Sequence, residues 1–169
     1  ICFVVLPGYP LFHPQAKGTV GGAEVDCYYQ ATELAKDSDF EVSCIVADHG
    51  QPDTEEIEGV HLGKVPGITA DRQGLGLRLW RILGRVNADI YFRESASLVT
   101  FLTALFCRAH RRKFIYRTAA LAECNGRYLQ EHPVRGRFFY RALRWADLLI
   151  SQSEDSAESL KQTLGLESH

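Results

Sequence analysis

Short apolar runs alternate with stretches of helical period along the whole chain, and this alternation restricts the fold more than any other feature. The apolar runs are Ile1-Cys2-Phe3-Val4-Val5-Leu6 and residues 40–47, 59–65, 89–92, 113–117 and 148–151. Between them, helical spacing puts Val25, Tyr28, Ala31, Leu34 and Ala35 on one face, then Leu75, Leu79, Ile82, Leu83 and Val86 over 72–87. The same period recurs over 95–110 (Leu98, Leu102, Leu105, Phe106 and Ala109 inward) and 135–147 (Phe139, Ala142, Leu143 and Ala146 inward). Ser153 reads as the cap of a last helix, with Glu154 and Asp155 in its first turn, Ala157, Leu160 and Leu164 inward, and Gly165 at its end. Strands with interposed helices predict an α/β chain: a Rossmann-like, doubly wound, mostly parallel sheet.

In such a sheet ligands bind at the carboxyl ends of the strands. Segments 7–22, 48–58, 93–95, 117–127 and 151–153 are expected there, with 51–58 and 66–71 read as loops. The first of them ends in Gly21-Gly22-Ala23-Glu24, just where the first helix begins. Glycine lets backbone approach a ligand, and the open N–H groups of a helix N-terminus suit a phosphate. A glycine pair that merely ends a loop is the alternative reading.

At 169 residues, 46% hydrophobic and 24% charged, the chain has the composition of one soluble domain with a sizeable core. The net charge of -2 hides an asymmetry. Up to Val60 the only Lys or Arg residues are Lys17 and Lys36. Over 108–144, Arg108, Arg111, Arg112, Lys113, Arg117, Arg127, Arg135, Arg137, Arg141 and Arg144 face only Glu123 and Glu131. The cluster fits an anionic partner, whether membrane surface, nucleic acid or phosphorylated ligand, or else a set of solvated helix faces. Five scattered cysteines with no CxxC argue against zinc, and Cys2 and Cys44 read as core residues in a reducing compartment. No signal peptide is visible, and the longest apolar run is too short to span a bilayer. The first strand begins at residue 1, so the chain is expected to be cut from something longer.

No catalytic constellation stands out: there is no Gly-x-Ser-x-Gly elbow and no P-loop lysine. His13 and His49 fall on predicted rim loops. Arg93-Glu94-Ser95 leaves the fourth strand at its functional end, either as an ion pair closing the strand or as ligand contacts. Arg117 and Thr118 leave the fifth strand in the same place, and a guanidinium binds phosphate or carboxylate with two parallel hydrogen bonds. Tyr128, Phe138, Phe139 and Tyr140 read as core.

Several segments carry a family resemblance. They are Tyr9-Pro10-Leu11-Phe12, Gly21-Gly22-Ala23-Glu24, Ala88-Asp89-Ile90-Tyr91-Phe92-Arg93, Lys113-Phe114-Ile115-Tyr116-Arg117 and Arg144-Trp145-Ala146-Asp147-Leu148-Leu149-Ile150-Ser151-Gln152-Ser153. Through them the chain resembles the N-terminal domain of the GT4 family of GT-B glycosyltransferases. The resemblance implies a Rossmann-like acceptor-side domain over 1–166, with the donor-binding domain and its Glu-x7-Glu motif absent from this chain. It implies a retaining transferase that moves a sugar from a nucleotide-sugar to an acceptor, inactive as this fragment alone. Gly21 and Gly22 would approach the donor diphosphate, and His13, Arg93, Glu94, Arg117 and Thr118 are acceptor or cleft candidates. Many members carry a histidine after the fifth strand; here Arg117-Thr118-Ala119 stands there, so that role is unassigned. No metal or other cofactor is expected, and no nucleic acid partner. The expected location is the cytoplasm, with the arginine cluster on the inner membrane face. Two alternatives stay open: a half-enzyme that needs a partner chain, and a Rossmann-like ligand-binding module without transferase chemistry.

Overall fold

The opening apolar run forms β1 (Cys2–Val4), buried at all three positions. The structure, a computed structural model, describes residues 1–67 and 74–169. It divides into two units, Ile1–Tyr91 and Phe92–His169.

In the first unit β1 is followed by a 3-10 turn (Leu6–Gly8) and a short helix α1 (Tyr9–Phe12), within the segment expected to be loop. Helix α2 (Gly22–Leu34) comes next, then β2 (Ser43–Ala47), β3 (Thr54–Ile57), β4 (Val60–Val65) and α3 (Leu75–Val86). The strand order is β3-β4-β2-β1. β1 pairs with β2, and β2 with β4, in parallel. β3 runs antiparallel to β4 and corrects the sequence reading, which made 51–58 a loop. The hairpin turns on Glu58 and Gly59, with φ of 53° and 75°. Positive φ at both turn positions is what a tight two-residue hairpin demands, and glycine supplies it without strain. The acidic content of the strand and an unusual Glu-Gly turn hid it. Leu79, Ile82 and Leu83 are the buried residues of α3, each stabilising the fold by roughly 1.5–3 kcal/mol relative to exposure. The expected start of that helix at 72 and most of the 66–71 loop fall on 68–73, outside the described residues.

The second unit begins within β5 (Ile90–Glu94) and continues through α4 (Leu98–His110), β6 (Lys113–Arg117), α5 (Leu121–Cys124) and α6 (Arg127–Glu131). It ends with α7 (Pro133–Leu143), β7 (Leu148–Ile150) and α8 (Glu154–Leu164). The order is β5-β6-β7, with β6 and β7 parallel. Ser97 caps α4, accepting from the Thr100 N–H at 3.4 Å, and Ser153 caps α8, accepting from the Ser156 N–H at 3.2 Å. Gly165 ends α8 in the left-handed region, as expected. The buried face of α4 is Val99, Thr100, Thr103, Ala104, Phe106 and Cys107, whereas Leu98 and Ala109 are exposed. A helix that is apolar nearly all round has no single face that periodicity can pick. Phe139 and Tyr140 are core, but Phe138 is exposed and meets the Phe101 ring at 4.8 Å in a tilted contact. Phe101 stacks on Trp145 at 5.7 Å, and Arg108 and Arg141 stand over the Trp145 ring at 5.3 and 5.4 Å. All five cysteines are buried free thiols. Among the described residues no helix is long and apolar enough to cross a membrane.

Candidate functional site

Arg93 and Glu94 are the last residues of β5, and both side chains are buried, Glu94 to 1% exposure. A charge removed from water needs a partner. Successive strand residues point to opposite faces, and Glu94 finds its partner on β6. Arg117 Nη1 lies 3.6 Å from Glu94 Oε2, and Gln152 Nε2, just past β7, donates to Glu94 Oε1 at 3.3 Å. Arg93 Nη2 donates to Ser97 Oγ at 3.3 Å. The carboxyl ends of all three strands of this unit therefore meet in one polar network. Of the two sequence alternatives for Arg93-Glu94, an ion pair at the strand end is present, but it reaches across strands. Thr118 is fully buried, and its N–H extends the ladder to the Ile150 carbonyl at 2.9 Å.

A further member, Glu123 of α5, was not among the sequence candidates. Its side chain is 5% exposed. Oε1 accepts from the Ala96 N–H at 2.9 Å. Oε2 accepts from the Ala119 N–H at 2.8 Å and from the Tyr116 hydroxyl at 2.9 Å. Burial pushes the Glu123 carboxyl above its usual range, and the N–H groups of Ala119 and Ala96 and the Tyr116 hydroxyl work against that. Burial, with Glu123 beside it, pushes the Tyr116 hydroxyl well up, so it remains a donor. No spacing marks Glu123, because the contact depends on α5 folding back onto two loops.

The remaining candidates lie in the first unit. Gly21 is the residue before α2, with extended backbone (φ −107°, ψ −177°), and Gly22 is the first residue of the helix. Both are exposed. Glu24 Oε2 accepts the Gly21 N–H at 2.8 Å, as one half of a capping box. Neither glycine has positive φ, and a Cβ on Gly22 would meet nothing within 4 Å. Local packing therefore makes no demand for glycine at 22. His13 and His49, both exposed, stack on the Tyr9 ring at 5.8 and 5.2 Å, so the fold brings these two rim histidines to one aromatic group. Beside them Asp48 accepts from the N–H groups of Gly67 (2.8 Å) and Gly50 (3.0 Å), which hold its carboxyl below the usual range.

A cavity of about 450 Å³ in this unit is lined by Ser43, Glu55, His61, Ile82, Arg85 and Val86, among others, and by none of the sequence candidates. Among the described residues no group of three or more His, Cys, Asp or Glu side chains is placed to hold a metal ion.

No curated protein sequence matches the chain. Solved structures do. The protein described as a UDP-N-acetylglucosamine 2-epimerase of Listeria monocytogenes superposes with a TM-score of 0.63 at 11% identity, over 95% of this chain and 40% of that one. Anabaena HepE, in complex with UDP and glucose, superposes with a TM-score of 0.58 at 17% identity, over 98% of this chain and 41% of that one. The chain thus spans about two fifths of these structures and has the fold of a Rossmann-like half of a GT-B enzyme. The sequence model for Glycosyltransferase Family 4 matches residues 20–169, most of the chain, and the protein belongs to that family.

Proposed function

We propose that this chain is the acceptor-side half of a retaining, metal-independent glycosyltransferase that moves a sugar from a nucleotide-sugar to an acceptor. The observation that carries the reading is the polar network in which Glu94, Arg117 and Gln152 converge at the carboxyl ends of β5, β6 and β7, where open α/β sheets bind ligands. Arg117, the partly exposed member, can take hydroxyl or anionic groups of an acceptor, with the buried Glu94 holding its guanidinium and Thr118 continuing the strand beneath it. In the first unit Gly22 leaves backbone open for a donor diphosphate, beside Gly21, whose N–H the Glu24 carboxylate already takes, and the exposed His13 is a further candidate for substrate contact. The donor-binding domain, within the same polypeptide or on a partner chain, supplies the nucleotide site. HepE is in complex with UDP, so UDP-sugars are the first donors to try.

The test is a donor panel on the full-length gene product, starting from UDP-glucose and UDP-N-acetylglucosamine, with products read by mass spectrometry. Net transfer to an acceptor is expected. Epimerised donor without transfer, or nucleotide binding without turnover, would replace this reading.

The arginine-rich segment adds a membrane-facing role at the cytoplasmic leaflet. Arg108, Arg137 and Arg141 are exposed on the helices that carry Phe138, Val134 and Leu98, all exposed apolar groups. Each basic residue near an anionic surface contributes about 1 kcal/mol, screened by salt. Co-sedimentation should show binding to phosphatidylserine-containing vesicles that weakens as salt rises. Equal pelleting with neutral phosphatidylcholine vesicles would remove the membrane role.

A further inference from the structure

We propose that Glu123 is a positioning residue: one buried carboxylate holds together the two rim loops that present Arg93 with Glu94 and Arg117 with Thr118. The proposal rests on reading this rim as the acceptor side.

The argument is geometric. Ala96 lies two residues after Glu94, on the loop leaving β5. Ala119 lies two residues after Arg117, on the loop leaving β6. The two oxygens of Glu123 take the N–H of one loop each, at 2.9 and 2.8 Å. A loop N–H exposed to water would exchange hydrogen-bond partners freely; one facing a carboxylate in a dry site is held by a charge-assisted bond. The third partner, the Tyr116 hydroxyl at 2.9 Å, belongs to β6 and fixes the carboxylate against the sheet. Tyr128 adds a bond from the other side, its hydroxyl donating to the Ala96 carbonyl at 3.4 Å. Every donor on Glu123 thus comes from a rim loop or from the strand that feeds one. A plain core role would be better filled by an apolar residue, since removing a carboxylate from water is costly.

The consequence falls on the Glu94–Arg117 pair. Its two members leave different strands, and at 3.6 Å the contact is loose. Their backbones are tied two residues further on, through Glu123. Moving either loop would move one member of the pair relative to the other.

Glu123→Gln keeps the shape but offers one acceptor oxygen in place of two, so it can serve only one loop. Glu123→Ala serves neither. Tyr116→Phe removes the third donor and leaves both loop bonds. Amide exchange measured by NMR on this chain should be at least tenfold faster at Ala96 or Ala119 in Glu123→Gln. Exchange at Phe114 and Tyr116 within β6 should be unchanged, and the Arg117 Nε–Hε resonance should shift. Tyr116→Phe should leave the two loop amides at their original rates. If Glu123→Ala does not fold, Glu123→Gln alone carries the test. Unchanged loop exchange in Glu123→Gln, an unmoved Arg117 signal, or uniform acceleration that includes β6 would each overturn the proposal. All these signals are read without donor or acceptor, so their failure is distinct from a failure of the transferase reading, which the donor panel decides.

Discussion

At Gly21 and Gly22 the chain offers exposed backbone, with open space around Gly22 and the Glu24 carboxylate against Gly21, whereas the rim after β5 and β6 is a network of mostly buried charged side chains. Both lie next to strand-end loops of an α/β unit, yet they are built on opposite principles. At Gly22 no neighbour fills the place a side chain would take, so the packing of the fold does not depend on it. The rim is built on mutual dependence: Glu94 holds Arg117 and Gln152, and Glu123 accepts from the loops that follow β5 and β6. Substitution should therefore separate binding from stability at the first place and confound them at the second.

The largest effect is expected at Glu94. Glu94→Ala empties a buried position and removes the acceptor of Arg117 and Gln152, a change that costs about 2 kcal/mol or more, or roughly 4 °C or more in melting temperature for a chain of this size. Glu33→Ala, which breaks the solvent-exposed ion pair with Lys36, should cost no more than about 0.5 kcal/mol. Urea denaturation of the two variants side by side checks the contrast, and equal losses would break it.

A smaller, pH-dependent effect is expected at Glu123. Its carboxyl is raised by burial, so the folded state binds that proton more tightly than the unfolded chain. The contribution to stability is then fully present below the ordinary glutamate range and is lost as pH rises through the raised value. Relative to Glu123→Gln, the melting temperature of the original chain should fall as pH climbs through that window and then level off. The opposite slope would mean that the three hydrogen bonds outweigh burial.

The smallest effect on stability is expected at Gly22, where Gly22→Val should stay within about 1 kcal/mol of the original chain, because glycine is itself a poor helix former. The same variant in the full-length enzyme should raise the donor KM or abolish turnover. Normal donor kinetics in a well-folded Gly22→Val enzyme would reduce the glycine pair to a loop ending, and the comparison would collapse.

The difference between the two regions also sets what could be read from the amino acids alone. The glycine pair, the Ser97 and Ser153 caps and the Gly165 stop rest on local backbone chemistry, and of these the sequence reading had the glycines, Ser153 and Gly165 in place. The parallel architecture followed from the alternation of runs. Arg93, Glu94 and Arg117 could be nominated because charges at strand ends are conspicuous. Their pairing could not, since it joins residues on different strands. Glu123 was hidden altogether: its partners are backbone N–H groups, which every residue but proline has, and only the fold decides which of them it meets. β3 was missed because Thr54-Glu55-Glu56-Ile57 lacks the composition of a strand and is held in place by a turn that Glu58 and Gly59 close. The exposed side of α4 was misread at Leu98 because periodicity is uninformative where apolar residues surround a helix.

That acidic hairpin has a bearing on how the protein behaves in a crowded solution. A strand at the margin of a sheet offers unpaired N–H and C=O groups to any passing chain. Here the margin of the first unit is β3, only four residues long, with adjacent carboxylates at Glu55 and Glu56. Two copies meeting edge to edge would bring like charges face to face. Behind it sits β4, with Val60, Leu62 and Val65 buried. Without the hairpin, β4 would be the margin, and it is apolar enough to recruit further copies into a growing intermolecular sheet. The carboxylates that conceal β3 as a strand thus equip it as a guard against aggregation.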